Sequence, residues 1–180
     1  MSIEETFIKD LFILNYNQFS DLRGDFVKTV QADSFKEKGL ESTFFESFFS
    51  ISKKNVIRGM HFQIPPDEHA KLVYVISGCI LDVVLDIRKG SPTYGSTFSI
   101  ELGASKRQGV YIGKGLAHGF LSIEDNSVVH YQTTTPYSAR NESGILFDSF
   151  SFDWKVKDPV LSIRDLQFDK FENYQTPFSI

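Results

Sequence analysis

Between Leu72 and Ile87 the chain reads LVYVISGCILDVVLDI, the most apolar stretch it contains. The Val and Ile residues that fill it are stiff at χ1 and fit a pleated strand better than a helix. Ser77, Gly78, Asp82 and Asp86 interrupt the run, so it is too broken to cross a bilayer as one span and reads as two strands, 71–77 and 79–87. Working outward, alternation at period two recurs at 7–14, 26–31, 44–52, 97–102, 109–113, 118–123, 128–135 and 145–152, ten strand candidates in all. Turn chemistry separates them at Asp21-Leu-Arg-Gly24, Pro65-Pro66-Asp67, Gly90-Ser91-Pro92, Gly113-Lys114-Gly115 and Glu124-Asp125-Asn126. Many short strands with regular turns predict an all-β sandwich or barrel. Helix signals are confined to 33–39 and to Ser162 through Asp165, and no βαβ unit, internal repeat or linker is visible. Alternation fades after Trp154, which predicts one domain over 1–180 with a tail from about residue 155 wrapping the barrel.

Composition narrows the classes of function. In 180 residues, 41% are hydrophobic and 23% charged, the balance of a folding globular chain and not of a disordered one. Eighteen Phe, seven Tyr and one Trp favour sheet over helical bundle. A net charge of −4 argues against a phosphate-backbone partner, so no nucleic acid is expected. A single cysteine, Cys79, cannot form an internal disulfide or a zinc cluster, and its apolar setting predicts a buried, inert thiol. The first residues, MSIEETFIKD, carry acids where a signal peptide carries bases, so a cytoplasmic protein with no membrane partner is expected.

Chemistry is sought first among the histidines, whose proton exchange lies nearest neutrality. His61, in Arg58-Gly-Met-His-Phe-Gln63, and His118, in Gly115-Leu-Ala-His-Gly-Phe120, each have a glycine nearby and border a strand. His69 and His130 are assigned structural roles. Three or four converging ligands would be needed to hold a metal. Around His61 the residue two positions on is Gln63, and only His118 joins it from elsewhere, so no metal and no cofactor is expected. Lys71 opens the apolar strand pair and could merely snorkel. Asp82 interrupts an apolar run, where a carboxylate must find partners. Tyr131 also suits an ordinary cross-strand aromatic, and Asp165 the fourth residue of a Ser-x-x-Asp capping box begun at Ser162.

Taken together, Asp21-Leu-Arg-Gly24, Arg58-Gly-Met-His-Phe-Gln63, Lys71-Leu-Val, Asp82-Val-Val-Leu-Asp-Ile-Arg-Lys-Gly-Ser-Pro-Thr93, Gly115-Leu-Ala-His-Gly-Phe120 and Leu161-Ser-Ile-Arg-Asp165 resemble, in order and spacing, the dTDP-4-dehydrorhamnose 3,5-epimerase family. The resemblance runs from about residue 7 to about residue 168. It implies a cupin jelly roll, or double-stranded β-helix, with a few short helices. It also implies a homodimer that inverts C3, C5 or both of a nucleotide-linked 4-keto-6-deoxyhexose without metal, in deoxysugar and lipopolysaccharide biosynthesis. Carried over by position, His61 is the general base, Asp165 its orienting carboxylate, Lys71 the cation at the 4-oxygen and Tyr131 the opposing proton donor. Arg23, Arg58 and His118 line the site, with both arginines at the diphosphate and Tyr137 against the base. Phe26, Lys28, Glu46, Ser50, Gln63 and Asp82 complete the expected substrate site.

Those residue types suit the reaction. A C4 ketone acidifies the C3 and C5 hydrogens because the resulting enolate puts its charge on the C4 oxygen, where an ammonium stabilises it. Inversion needs a base on one face and an acid on the other, and planar arginines suit a diphosphate. Three positions depart from the family pattern: Lys28 stands where a Glu is usual, Glu46 for a Gln and Phe48 for an Asn. These fall toward the nucleotide end, so retained chemistry with altered recognition is expected. Glu46 could favour an amino-bearing base such as cytosine, or could only pair with Lys28. A 3,4-ketoisomerase and a non-catalytic sugar-nucleotide-binding cupin are the competing classes. Retention of Tyr131 speaks against the first, and retention of His61, Lys71 and Tyr131 against the second.

Overall fold

The alternation resolves into thirteen strands, numbered here in chain order, in a computed structural model that describes all 180 residues. One sheet has the spatial order β1 (Ser2–Glu5), β2 (Leu11–Asn15), β10 (Gln108–Ile112), β7 (Lys71–Ser77), β12 (Ser127–Thr133), β5 (Glu46–Ser52). The other has the order β13 (Glu142–Gly144), β6 (Ile57–Gln63), β11 (Leu116–Ser122), β8 (Cys79–Asp86), β9 (Thr97–Gly103). All these pairings are antiparallel. Strands adjacent in sequence, such as β6, β7 and β8, alternate between sheets, so the all-β class and the jelly roll implied by the resemblance are both realised. β3 (Gln18–Asp21) and β4 (Gly24–Val27) form a separate hairpin around the predicted Asp21–Gly24 turn. No helix is long and apolar enough to cross a membrane.

The inner faces follow from the two-residue period. Val73, Val75 and Val129 from the first sheet meet Ile80, Val84 and Phe120 from the second, all buried, each side chain contributing about 1.5–3 kcal/mol on burial. Along the same faces the pattern turns polar: β7 begins with Lys71, β12 continues to Tyr131 and Thr133, and β11 and β6 present His118 and His61. The sandwich is thus apolar at one end and open to polar chemistry at the other.

Both outer faces are partly covered. Helix α1 (Ala32–Glu37), overlapping the predicted 33–39 region but starting and ending earlier, seats Phe35 over Leu72 and Tyr111 of the first sheet. Residues 145–180 cross the second sheet, where Ile145, Phe150, Trp154 and Phe178 pack on Val83, Leu85 and Leu121. Bridges Val56 to Val160 and Lys89 to Ser179 tether the tail. This covering explains why every residue of β11 is buried.

Several expectations are corrected here. Residues 145–152 form turns, not a strand: Ile145 and Phe150 are anchors spaced to reach the covered sheet, and Trp154 Nε1 donates to the Phe147 carbonyl at 2.8 Å. The stretch 26–31 is strand only to Val27, and 7–14 only from Leu11. β1, β3, β6 and β13 were absent from the ten candidates. Cys79 is half-buried, not buried, with its thiol pushed up by desolvation and by Glu101.

Candidate active site

The site is built around a bulge. His118 of β11 lies opposite His61 of β6, but Phe120 lies opposite Arg58, so β6 holds one extra residue between them. Bulges of this kind re-aim a side chain. Gly59 supplies the required backbone at φ +132°, and a Cβ there would sit 2.4 Å from the Gly119 Cα. Two glycines therefore let β6 and β11 touch backbone to backbone, which explains why Arg-Gly-Met-His and Ala-His-Gly-Phe occur as a pair.

His61 Nε2 lies 2.9 Å from Asp165 Oδ1. The Gly59 N–H donates to Asp165 Oδ2 at 3.2 Å, and the Asp165 N–H donates to Ser162 Oγ at 3.0 Å. Half of the expected capping box is therefore made: Ser162 Oγ takes the Asp165 N–H at the start of the 3-10 turn Asp165–Gln167, while the carboxylate turns to Gly59 and the imidazole instead of returning to the Ser162 N–H. Burial alone would raise the Asp165 carboxyl, but the His61 contact and the N–H and hydroxyl bonds bring it from 3.8 to about 2. With Nε2 giving its proton to Asp165, His61 has Nδ1 as its unpartnered, basic nitrogen. Burial lowers the proton affinity of His61, Asp165 opposes that, and Lys71 and Arg164 reinforce it.

Beside this pair opens a cavity of about 510 Å3. Lys71 is buried in its wall and does not snorkel; its Nζ donates to the His61 carbonyl at 3.4 Å. Desolvation lowers its ammonium to about 8, with Asp82 and Glu142 holding it from falling further. Tyr131 faces the cavity with its hydroxyl 3.2 Å from Ser50 Oγ, and burial raises its phenol, so it stays protonated at neutral pH. His118 Nε2 lies 2.7 Å from Asp82 Oδ2, the partner that a carboxylate in an apolar strand requires.

At the cavity mouth Tyr137 is held twice: its N–H donates to Glu46 Oε1 at 3.0 Å and its hydroxyl to Glu142 Oε2 at 2.8 Å. Arg58 is fixed by Ser52 Oγ and the Ile51 carbonyl. Gln63 reaches the wall with its amide already used. It donates to the Asp67 and Pro136 carbonyls and accepts from the Ser138 N–H at 2.7 Å, so it fixes the loop bearing Tyr137.

Asp82 stands behind His118 and does not line this cavity, and one further group of expected residues is not brought to it. Arg23, Phe26 and Lys28 lie on or beside the β3–β4 hairpin, outside the cavity wall, and Arg23 pairs with Asp21 in solvent at 90% side-chain exposure. Glu46 accepts from Tyr137, and neither it nor Lys28 makes an ion pair, so the compensating Lys28–Glu46 pair is absent within the chain.

Three titratable cavity residues, His69, Glu142 and Arg164, escaped sequence reasoning as site groups, whereas the departure from the family pattern places Phe48 toward the nucleotide end. Phe48 stacks on Tyr131 with centroids 4.9 Å apart, as direct cross-strand partners do. His69, assigned a structural role, lies in the wall two residues before Lys71, the spacing that puts both on one face; burial first, then Lys71 and Lys114, lower it to about 3. Glu142 and Arg164 join through a 2.7 Å ion pair, and the only signal for Arg164 was its place directly before Asp165.

Comparison with known proteins converges on one family. The family model described as dTDP-4-dehydrorhamnose 3,5-epimerase matches residues 5–173. A dTDP-4-dehydrorhamnose 3,5-epimerase of Shigella flexneri is 36% identical over 174 residues, covering 95% of this chain and 96% of the relative. Among solved structures, an epimerase of Mycobacterium tuberculosis superposes with a TM-score of 0.93 at 34% identity, covering 96% of this chain and 90% of that one. A dTDP-6-deoxy-D-glucose-3,5-epimerase of Legionella pneumophila, solved with dTDP-4-keto-L-rhamnose, gives 0.92 at 32% identity, covering 98% and 97%.

Proposed function

The chain belongs to the dTDP-4-dehydrorhamnose 3,5-epimerase family, and from that premise we propose that its cavity takes a dTDP-linked 4-keto-6-deoxyhexose and inverts both C3 and C5. It is a nucleotide-sugar epimerase; the nucleotide, the two carbons and the residue roles are the reading advanced here. The observation that carries it is the single cavity shared by an imidazole backed by a buried carboxylate, a buried ammonium and a protonated phenol.

In this reading His61 Nδ1 removes the proton at C3 or C5, and Asp165 stabilises the imidazolium that forms. The electron pair moves through the C–C bond to the C4 oxygen, where Lys71 meets the developing charge. Tyr131 delivers a proton from the opposite face; before the next inversion the imidazolium loses its proton to solvent and the tyrosinate gains one from it. His118, fixed by Asp82, donates to a sugar oxygen. Tyr137 offers an aromatic face to the base, and Arg58 one guanidinium to the diphosphate.

Incubation with dTDP- and CDP-linked 4-keto-6-deoxyglucose in heavy water, followed by NMR, tests this. Deuterium is expected at C3 and C5 with the dTDP sugar. His61→Ala is expected to abolish entry at both carbons, and Tyr131→Phe to impair C5 inversion while sparing part of the C3 exchange. Normal exchange by the His61 variant would end the mechanism. A clear preference for the CDP sugar would instead move the nucleotide assignment to the cytosine reading of Glu46.

A further inference from the structure

Arg164 stands between two cavities, the one described above and a second of about 410 Å3 on the tail side of His61, walled by Val56, Ile57, Val160 and Leu161. Its guanidinium makes three contacts. Nη1 donates to Glu142 Oε1 at 2.7 Å, Nε donates to Asp165 Oδ1 at 3.3 Å, and Nη2 lies 3.2 Å from His61 Nε2. A guanidinium has only donors and an ionised carboxylate only acceptors, so the proton between His61 Nε2 and Asp165 Oδ1 is assigned to Nε2. The imidazole and the guanidinium therefore converge on one carboxylate oxygen, and Nη2 is a cation beside the ring, not a hydrogen-bond partner of it.

We infer that Arg164, pinned by Glu142 and sharing Asp165 Oδ1 with His61, is a positioning residue that keeps the imidazole uncharged and basic at Nδ1. This rests on the epimerase reading for its purpose, but not for its physics. A carboxylate alone beside His61 would make a strong imidazolium partner, and an imidazolium cannot abstract a proton. A second donor on the same oxygen takes part of that carboxylate's charge, and a fixed positive charge near Nε2 opposes another.

Of the other charged groups around His61, Lys71 acts in the same direction as Arg164 and the rest do not. Asp165, from the tail, favours the imidazolium. Lys71, from β7, bonds the His61 carbonyl, not the ring, and its charge opposes the imidazolium through space, so Arg164 adds to it from the other side of the carboxylate. His118, opposite on β11, is tied to Asp82 of β8. Arg58, on β6 itself, is turned to Ser52 and Ile51 of β5. Glu142, on β13, is occupied by Arg164 and Tyr137.

The test is an NMR titration of the His61 imidazole in wild type, Arg164→Gln and Arg164→Lys, together with pH profiles of deuterium wash-in. Removing the cation is expected to raise the His61 midpoint by about one pH unit, a tenfold gain in proton affinity. The acid limb of kcat/KM then moves to higher pH by the same amount, so Arg164→Gln loses activity increasingly as pH falls below neutrality. Arg164→Lys is expected to keep the wild-type midpoint. An unmoved or lowered midpoint in a folded Arg164→Gln protein overturns the inference. So does an equal loss at every pH with a raised KM, which would make Arg164 a substrate contact. Because the titration needs no substrate, failure of wild type to exchange either sugar would sink the epimerase reading and leave this result standing.

Discussion

Lys71 titrates where a surface lysine does not. Burial in the cavity wall lowers its ammonium from 10.5 to about 8, so the group proposed to meet the enolate oxygen loses its charge within a measurable range. Wash-in rates are expected to fall as pH rises through about 8, on the opposite limb from His61. Lys71→Met is expected to lower kcat by about 10²–10³ and to remove that alkaline limb. A limb that survives the substitution belongs to another group. Asp165 carries the second prediction at this scale. Its carboxyl is held at about 2 in the folded protein against 3.8 ordinarily, so its contribution is fully present above 3.8 and is lost as pH falls through about 2. Asp165→Asn should therefore cost roughly 2 kcal/mol at neutral pH and flatten the acid side of the stability curve, read as urea midpoints at pH 7 and pH 3. Equal midpoint losses at the two pH values would place the cost in packing instead of charge. These residue-scale properties were only partly legible. Asp82 announced a partner because a carboxylate in an apolar strand must have one, whereas nothing local announced that Arg164 folds back over its neighbour Asp165 onto His61.

At the scale of elements, strands with unbroken alternation were legible and the bulged one was not. β7, β8, β9, β10, β11, β12 and β5 all fall within the predicted stretches to a residue or two, because each has one face on the core. β6, the strand that carries Arg58, His61 and Gln63, was seen as a motif but not as a strand, since the extra residue at Gly59 breaks the period that identifies a strand. The same logic over-read 145–152, where apolar residues at even spacing anchor turns. The bulge also makes a prediction. A methyl group on Gly119 would meet Met60 Sδ at 2.7 Å and the Arg58 carbonyl at 2.9 Å, so Gly119→Ala must push β6 away from β11. A loss of about 1–3 kcal/mol is expected. Activity should fall further than that loss of folded protein explains, because His61 and His118 both depend on the same contact. Thermal unfolding paired with kcat at a temperature well below the transition separates the two effects. Full kcat in the folded fraction would show that the bulge sets stability and not catalytic geometry.

At the scale of the molecule, the residues missing from the cavity and the apolar surface left uncovered point to the same assembly. Arg23 and Phe26 ride a hairpin whose Phe19 and Leu22 are also open to solvent. The outer face of the first sheet presents Phe49, Ile51 and Ile76 beyond the area that α1 covers. Exposed apolar side chains on a hairpin and on a sheet face suit burial against a partner, and a two-fold pair of identical chains is the commonest way to bury them. We propose a homodimer in which each hairpin carries Arg23 to the cavity of its partner, supplying the second guanidinium for the diphosphate. Light scattering is expected to give a dimer, and Phe49→Asp with Ile51→Asp a monomer of reduced activity. The decisive measurement mixes two inactive variants, His61→Ala and Arg23→Ala, under conditions that exchange subunits. If Arg23 acts across the interface, one site of each mixed dimer combines an intact cavity with an intact hairpin and activity returns. The other site carries both lesions and stays silent, so full mixing should restore about a quarter of wild-type turnover by the statistics of pairing. If each hairpin serves its own cavity, every site in the mixture carries one lesion and nothing returns.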